Sequence, residues 1–199
     1  MHNPDPNKPS LRRQLKALRA AVPHDARHAA AQGALRLALR HGLLLRARRI
    51  GFYLPHGAEF DLRPLLNQAL WMKRECCLPV IPTGHGRVLR FARLNGHNTM
   101  TANRYGIPEP SDPSPLRARQ LDVLFMPLVG FDHQGHRLGM GGGYYDATLA
   151  YLTRRCVWKK PLLIGVGFEC QRVETLPHDP WDAPLDAALT ERNLYVFKR

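Results

Sequence analysis

The chain has 199 residues, 44% of them hydrophobic and 23% charged, an ordinary balance for a chain long enough to build a core without disulfides or a structural metal. No apolar run approaches the ~20 residues that span a bilayer, and the opening MHNPDPNKPS lacks the apolar centre of a secretory signal, so a cytoplasmic protein with no membrane contact is expected. The net charge of +13 is uneven: residues 1–74 carry 14 Lys/Arg against 4 Asp/Glu, a net of +10, and residues 75–199 carry 15 against 12, so the basic N-terminal third calls for an anionic partner such as nucleic acid, a phosphate ligand or a polycarboxylate.

Leu11, Leu15, Leu18 and Val22 recur at helical spacing and predict a helix from Ser10, its candidate N-cap, to about Ala21, with Pro23 ending it and Arg12, Lys16 and Arg19 forming a basic face. A second helix is expected from His24 to His41, closed by Gly42. The period then changes. RRIGFYLPH reads as a buried strand, DLRPLLNQALWMKR as a helix with Pro64 in its first turn, ECCLPVIP as a strand and RVLRFARL as a half-exposed strand. Residues 95–120, proline-rich and aperiodic, read as loop with one short helix. LDVLFMPLVGFD is the strongest strand, YYDATLAYLTRR a helix, PLLIGVGF another buried strand and TERNLYVFK a closing strand. Strands alternating with helices, several apolar on both faces, predict an α/β layered fold with a largely parallel central sheet. We expect one domain over 1–199, with residues 1–46 as an outer helical segment and 47–199 as the α/β core. Cys76, Cys77, Cys156 and Cys170 form no C-x-x-C pair and read as idle thiols in a reducing compartment.

The stretch RLGMGGGYYD, Arg137 to Asp146, follows the strongest strand after a short turn and leads into a predicted helix. Glycine is costly to order, so such a cluster needs a reason. Bare backbone lets N–H groups approach an anion closely, although the P-loop fails because Tyr144 follows Gly143, and the dinucleotide fingerprint fails at the same place. Anion binding and a merely tight turn both remain open on the loop alone. Arg137 can neutralise phosphate and Asp146 can hold an accompanying Mg²⁺. Downstream, PHDPWDAPLD places Asp179, Asp182 and Asp186 close together, either as further metal ligands or as turn formers beside proline. Glu59, in the loop after a buried strand, either faces a ligand crevice at a strand's carboxyl end or caps the next helix.

Taken together and in order, KPSLRRQLKALR, FYLPHGAEFDL, CLPVI, YGIPEP, LDVLFMPLVGFD, RLGMGGGYYD and VETLPHDPWDAPLD make the chain resemble the 5-formyltetrahydrofolate cyclo-ligase (methenyltetrahydrofolate synthetase) family over most of its length. The resemblance implies ATP-dependent, Mg²⁺-requiring cyclisation of 5-formyltetrahydrofolate to 5,10-methenyltetrahydrofolate with release of ADP and phosphate. It implies that Lys8, Pro9, Ser10, Leu11 and Arg12 bind nucleotide together with Arg137, Leu138, Gly139, Met140, Gly141, Gly142, Gly143, Tyr144 and Tyr145. Leu54 and Glu59 match folate-contacting positions, Glu59 toward the pterin's amino and ring N–H groups, and Met140 to Tyr144 match a segment near the reacting centre. Arg137 and Tyr144 are the implied catalytic residues, and Asp146 and Asp182 the implied Mg²⁺ ligands. Some relatives carry Arg and Lys where this chain has Met140 and Gly142, so here the charge would come from Arg137, Lys8, Arg12 or the metal. The implied partners are small molecules, ATP and a reduced folate whose glutamate tail suits basic residues, and a monomer without nucleic acid is expected. Two other readings stand beside this one: an RNA-binding protein using the basic N-terminal third, and a sugar-phosphate isomerase on a similar scaffold.

Overall fold

The computed structural model describes residues 7–112, 114–152 and 160–197. Seven strands form the central sheet: β1 (Arg49–Gly51), β2 (Glu75–Val80), β3 (Arg90–Arg93), β6 (Val123–Pro127), β9 (Leu162–Val166), β10 (Ala187–Leu189) and β11 (Leu194–Val196). Their order is β11-β10-β9-β6-β1-β2-β3. The pairs β2/β1, β1/β6, β6/β9 and β9/β10 are parallel, and the two edge strands β3 and β11 are antiparallel to their neighbours. The expected α/β architecture with a largely parallel sheet is the one observed.

Side chains alternate across this sheet and fill a core on each face. Val123 and Phe125 of β6 join Ile50, Cys76, Leu78, Ile164 and Val166 on one face, where Ala30, Ala34 and Ala38 of α2 (His24–Arg40) and Leu65, Leu66 and Ala69 of α3 (Arg63–Trp71) cover them. Leu124 and Met126 of β6 point the other way, with Cys77, Phe91, Leu163 and Leu149 of α4 (Tyr144–Leu149). Both faces are buried, which is why the parallel strands read as unbroken apolar runs. The first helix, α1 (Asn7–Ala20), docks separately through Leu15, 2% exposed, onto Val129, Leu138 and Leu176.

Several local expectations shift. Helix α1 begins at Asn7, so Ser10 sits inside its first turn and is not its cap. The stretch read as loop contains an antiparallel hairpin, β4 (Met100–Ala102) with β5 (Pro108–Pro110), before a 3₁₀ turn at Ala118–Gln120; its prolines are tolerated because this two-stranded ribbon stands apart from the main sheet. A second ribbon, β7 (Gly130–Phe131) with β8 (Arg137–Leu138), follows β6. Helix α4 is shorter than its pattern, ending at Leu149, and the remainder of that predicted helix from Thr153 onward lies outside the described residues, as does Cys156. Cys76 and Cys77 are buried and burial pushes their thiols up to about 12, so they stay protonated and inert. No described helix is long and apolar enough to cross a membrane.

The strand order places the function. From β1 the chain moves to β2 on one side, whereas β6, β9 and β10 extend the sheet on the other. The crevice at the carboxyl ends of β1 and β6 is therefore a topological switch point, where open α/β sheets bind ligands.

Candidate active site

A cavity of about 470 Å³ opens at this point. The segment after β1 supplies Tyr53, Leu54, His56 and Glu59, the end of β2 supplies Leu78, Pro79 and Ile81, and β6 supplies Pro127. The opposite wall is the glycine loop, with Gly139 to Gly143 followed by Tyr144, Tyr145 and Asp146. Gly141 and Gly143 adopt φ of +97° and +68°, a left-handed backbone that side chains resist, so the loop's bareness is a conformational requirement as well as an opening toward a ligand.

Arg137 leaves β8 beneath this loop. Its side chain is 4% exposed, its Nη2 donates to Asp146 Oδ1 at 2.8 Å, and its guanidinium lies 5.6 Å from the centre of the Tyr145 ring. Its buried Nε has no hydrogen-bond partner. Asp146 therefore faces the cavity with one oxygen engaged by Arg137, and its Oδ2 has no partner among the described residues. Arg12 of α1 reaches the same loop and donates its Nε to the Gly139 carbonyl at 2.9 Å, which brings the N-terminal helix to the site across 127 positions of sequence.

Lys8 lies outside the cavity lining. Its ammonium, with a side chain 6% exposed, donates to Asp179 Oδ2 at 2.6 Å and Asp182 Oδ2 at 2.8 Å. Burial disfavours its charge, but the two carboxylates outweigh that and hold its pKa above the usual lysine value. Asp182 is thus tied to Lys8 and does not line the cavity, while Pro9 and Ser10 are exposed on α1 and Leu11 and Leu138 pack in the small core under that helix. Among the described residues no group of three or more His, Cys, Asp or Glu side chains converges to hold a metal. A hard cation at this site would rest on single carboxylates plus phosphate oxygens and water, as Mg²⁺ commonly does. Asp146, with its Oδ2 unpartnered among the described residues and its side chain on the cavity wall, fits that donor set; Asp182, whose Oδ2 is held by Lys8 and the Asp179 N–H, stands outside the cavity lining.

Glu59 accepts a hydrogen bond from the His56 N–H at 3.0 Å. Burial raises its pKa above the ordinary 4.5, while the His56 N–H and the charges of Arg19, His56 and Lys16 pull the other way. Arg19 is itself 5% exposed, with an unpartnered Nε, and burial lowers its pKa. Tyr53 is fixed beside them, its hydroxyl donating to the Phe60 carbonyl at 2.9 Å.

Residues missed at the sequence level complete the walls. The hairpin of β4 and β5 brings Asn103, Tyr105, Ile107 and Glu109 to the cavity, and Glu109 Oε1 accepts from the Ile81 N–H at 2.9 Å and Asn103 Nδ2 at 2.7 Å. The Tyr144 hydroxyl accepts from Arg104 Nη2 at 2.6 Å and lies 3.1 Å from the Tyr105 hydroxyl, bridging hairpin and glycine loop. The signal for Tyr105, Ile107 and Glu109 was present in YGIPEP, which carries the resemblance but no periodicity; Asn103 and Arg104 lie just before it.

Asp132 is the other omission. It is fully buried, its Oδ1 accepts the N–H groups of Gln134 and His136 at 2.9 Å each, and its Oδ2 accepts the Leu176 N–H at 3.0 Å and lies 2.9 Å from His136 Nδ1. It shapes the turn that delivers Arg137 and ties that turn to the segment carrying Asp179 and Asp182. Burial alone would raise its pKa, yet these hydrogen bonds hold it below the ordinary 3.8. A depressed folded-state value stabilises the fold above the unfolded-state pKa, and that stabilisation is lost as pH falls through the folded-state value. Asp132→Asn should therefore cost about 3 kcal/mol at neutral pH, read by urea unfolding, and the gap from the parent should shrink below about pH 4.

The sequence profile of the 5-formyltetrahydrofolate cyclo-ligase family matches residues 4–191. The chain belongs to this family. It is 35% identical over 178 residues to the cyclo-ligase of Haemophilus influenzae, covering 88% of this chain and 92% of that one. It is also 35% identical over 186 residues to that of Escherichia coli K12, covering 90% and 97%. Among solved structures, the NMR structure of an Aquifex aeolicus 5,10-methenyltetrahydrofolate synthetase superposes with a TM-score of 0.81 at 27% identity, covering 97% of this chain and 94% of that one.

Proposed function

We propose that the chain catalyses the cyclo-ligase reaction, converting 5-formyltetrahydrofolate and ATP to 5,10-methenyltetrahydrofolate, ADP and phosphate, in the switch-point cavity. Family membership carries the activity, and one observation carries the location: a single cavity brings Glu59 and the apolar wall of Leu54, Pro79 and Ile81 opposite Arg137, Asp146 and the glycine loop. A pterin fits between the apolar walls with its amino and ring N–H groups toward Glu59, while the triphosphate lies along the loop's bare backbone.

The N5-formyl group is an amide, and its resonance makes the carbon a poor electrophile. Transfer of the γ-phosphoryl group forms a P–O bond to the formyl oxygen and breaks the bond to ADP. N10 of the same folate then attacks the formyl carbon, loses its proton, and phosphate leaves with the C–O bond. The attack is intramolecular, so effective molarity is high, and the protein's task is alignment and charge neutralisation. Arg137 neutralises the transferred group, held in place by Asp146 and Tyr145. Arg12 fixes the loop through Gly139, and Tyr144 spans loop and hairpin beside the reacting centre. A Mg²⁺ ion on Asp146 would supply further neutralisation of the phosphates.

Purified protein given Mg²⁺, ATP and 5-formyltetrahydrofolate should generate the near-ultraviolet absorbance of methenyltetrahydrofolate, read after acidification, where the product persists. Absence of that signal from a folded sample, with ATP also unconsumed, would remove the reading. The site holds nothing that favours a sugar-phosphate isomerase, and ATP consumption coupled to product separates the two.

A further inference from the structure

Guanidinium groups reach the glycine loop from several elements, and they differ in what else they do. Arg137 is balanced by Asp146, and Arg12 is occupied by the Gly139 carbonyl. Arg104, on the turn between β4 and β5, donates to the Tyr144 hydroxyl at 2.6 Å and to the Gly84 carbonyl at 3.4 Å. Arg87 is different. It is exposed, forms no ion pair or hydrogen bond among the described residues, and places its Nη1 3.4 Å from where a Cβ on Gly143 would stand. An arginine with no carboxylate partner would ordinarily extend into solvent, whereas this one lies against the bare backbone of Gly143, itself a residue of the cavity wall.

Its segment is anchored to the loop it faces. Two residues on, the Leu89 N–H donates to Thr148 Oγ1 at 2.8 Å, and that hydroxyl donates to the Tyr144 carbonyl at 2.6 Å. On the other side, Arg104 ties the Gly84 carbonyl to the hydroxyl of the same tyrosine. The backbone bearing Arg87 is thus tied on both sides to the residue that follows Gly143, which keeps the root of this side chain beside the loop.

We propose that Arg87 is a further catalytic residue of the reaction assigned above, on which this inference rests: it contacts the transferred phosphoryl group at the Gly143 end of the loop, while Arg137 serves the Gly139 end. Its planar fork suits two equatorial phosphoryl oxygens at once, and its charge acts where negative charge is spread over those oxygens during transfer. It gives up no proton and forms no covalent bond.

The test compares Arg87→Gln and Arg87→Lys with Arg90→Gln, a nearby exposed arginine of β3 that is not among the atoms beside Gly143. Three readouts are taken: kcat with both KM values, melting temperature, and affinity by titration calorimetry for Mg-ADP with and without aluminium fluoride, which mimics a planar phosphoryl group independently of turnover. Arg87→Gln should lower kcat by about 30-fold, leave affinity for Mg-ADP alone within about twofold, and lose most of the extra affinity that the fluoride confers. Arg87→Lys should recover part of both losses, because the charge returns without the fork. Melting should not move appreciably, since the side chain has no protein partner to lose. A kcat within about threefold of the parent, or affinity for Mg-ADP alone falling in step with kcat, overturns the role of Arg87 while leaving the assigned activity standing. A parent that makes no methenyltetrahydrofolate, yet whose fluoride-dependent ADP affinity depends on Arg87, sinks the assigned reaction and upholds the phosphoryl contact.

Discussion

Arg137→Gln should reduce kcat by about 1,000-fold, the loss expected when a positioned cation is withdrawn from a transferring phosphoryl group. The side chain is 4% exposed and the shorter, uncharged amide reaches neither partner as the guanidinium does, so the charge, the ion-paired hydrogen bond to Asp146 and the contact with Tyr145 disappear together. Some stability goes too, because Asp146 is left beside an uncharged neighbour; with that carboxylate a quarter exposed, solvent screening limits the cost to about 2 kcal/mol. Circular dichroism and urea unfolding separate this from the kinetic effect, since a loss of that size leaves a domain of this length folded at 25 °C. Asp146→Asn supplies the complementary arm. It should shift the Mg²⁺ concentration for half-maximal rate upward by at least about tenfold while Arg137 remains in place. A folded Arg137→Gln variant with kcat within tenfold of the parent would end the assignment, and an unchanged Mg²⁺ dependence in Asp146→Asn would take that carboxylate off the metal.

The parts of this fold that were legible in the sequence are those where burial imposes a pattern. Val123 to Pro127 and Leu162 to Val166 read as strands because both faces of the sheet are covered, and α2 read as a helix with Ala31, Leu35, Ala38 and Leu39 as its inner side, of which Leu39 is instead exposed. The hairpin of β4 and β5 was illegible for the converse reason: Met100 to Ala102 are exposed throughout, and Pro108 and Pro110 look like breakers. Strand β10, only Ala187 to Leu189, is too short for alternation and sits behind an acidic turn that drew attention first. The same division runs through the site. Arg137 and Asp146 mark the two ends of the loop in the sequence, and the fold closes them to 2.8 Å. Asp132 gave no sequence signal because its role lies in backbone N–H groups that no side-chain pattern announces. Arg87 and Arg104 reach the loop only through strand order and hairpin geometry, which local sequence does not encode.

Glu59→Gln should raise the KM for 5-formyltetrahydrofolate by about 100-fold and leave the KM for ATP unmoved. A carboxylate accepting from the pterin's amino and ring N–H groups makes two charge-assisted hydrogen bonds; the amide keeps one acceptor and points its NH₂ at a donor, a reversal worth this factor by the usual strength of such bonds. Stability should move the opposite way. Burial raises the Glu59 pKa above 4.5 in the folded chain, so folding gains from its protonated form, and that contribution is lost as pH rises through the folded-state value. At neutral pH the ionised side chain is therefore a strain on the empty fold, and the neutral amide relieves it: melting temperature should hold or rise as folate affinity collapses. The same raised pKa sets the pH dependence. Affinity for the folate should weaken on acidification earlier than an ordinary glutamate would allow, with His56, Arg19 and Lys16 as the neighbouring charges that oppose the shift, and Glu59→Gln should flatten that profile as pH falls from neutrality toward the ordinary glutamate range. The measurement is a pair of KM titrations across this range beside thermal unfolding of the ligand-free protein. A variant whose folate KM stays within threefold of the parent, or whose pH profile keeps the parental slope, would place pterin recognition on other groups, because a carboxylate kept in a poorly solvated wall at a cost to the fold needs a ligand that repays it.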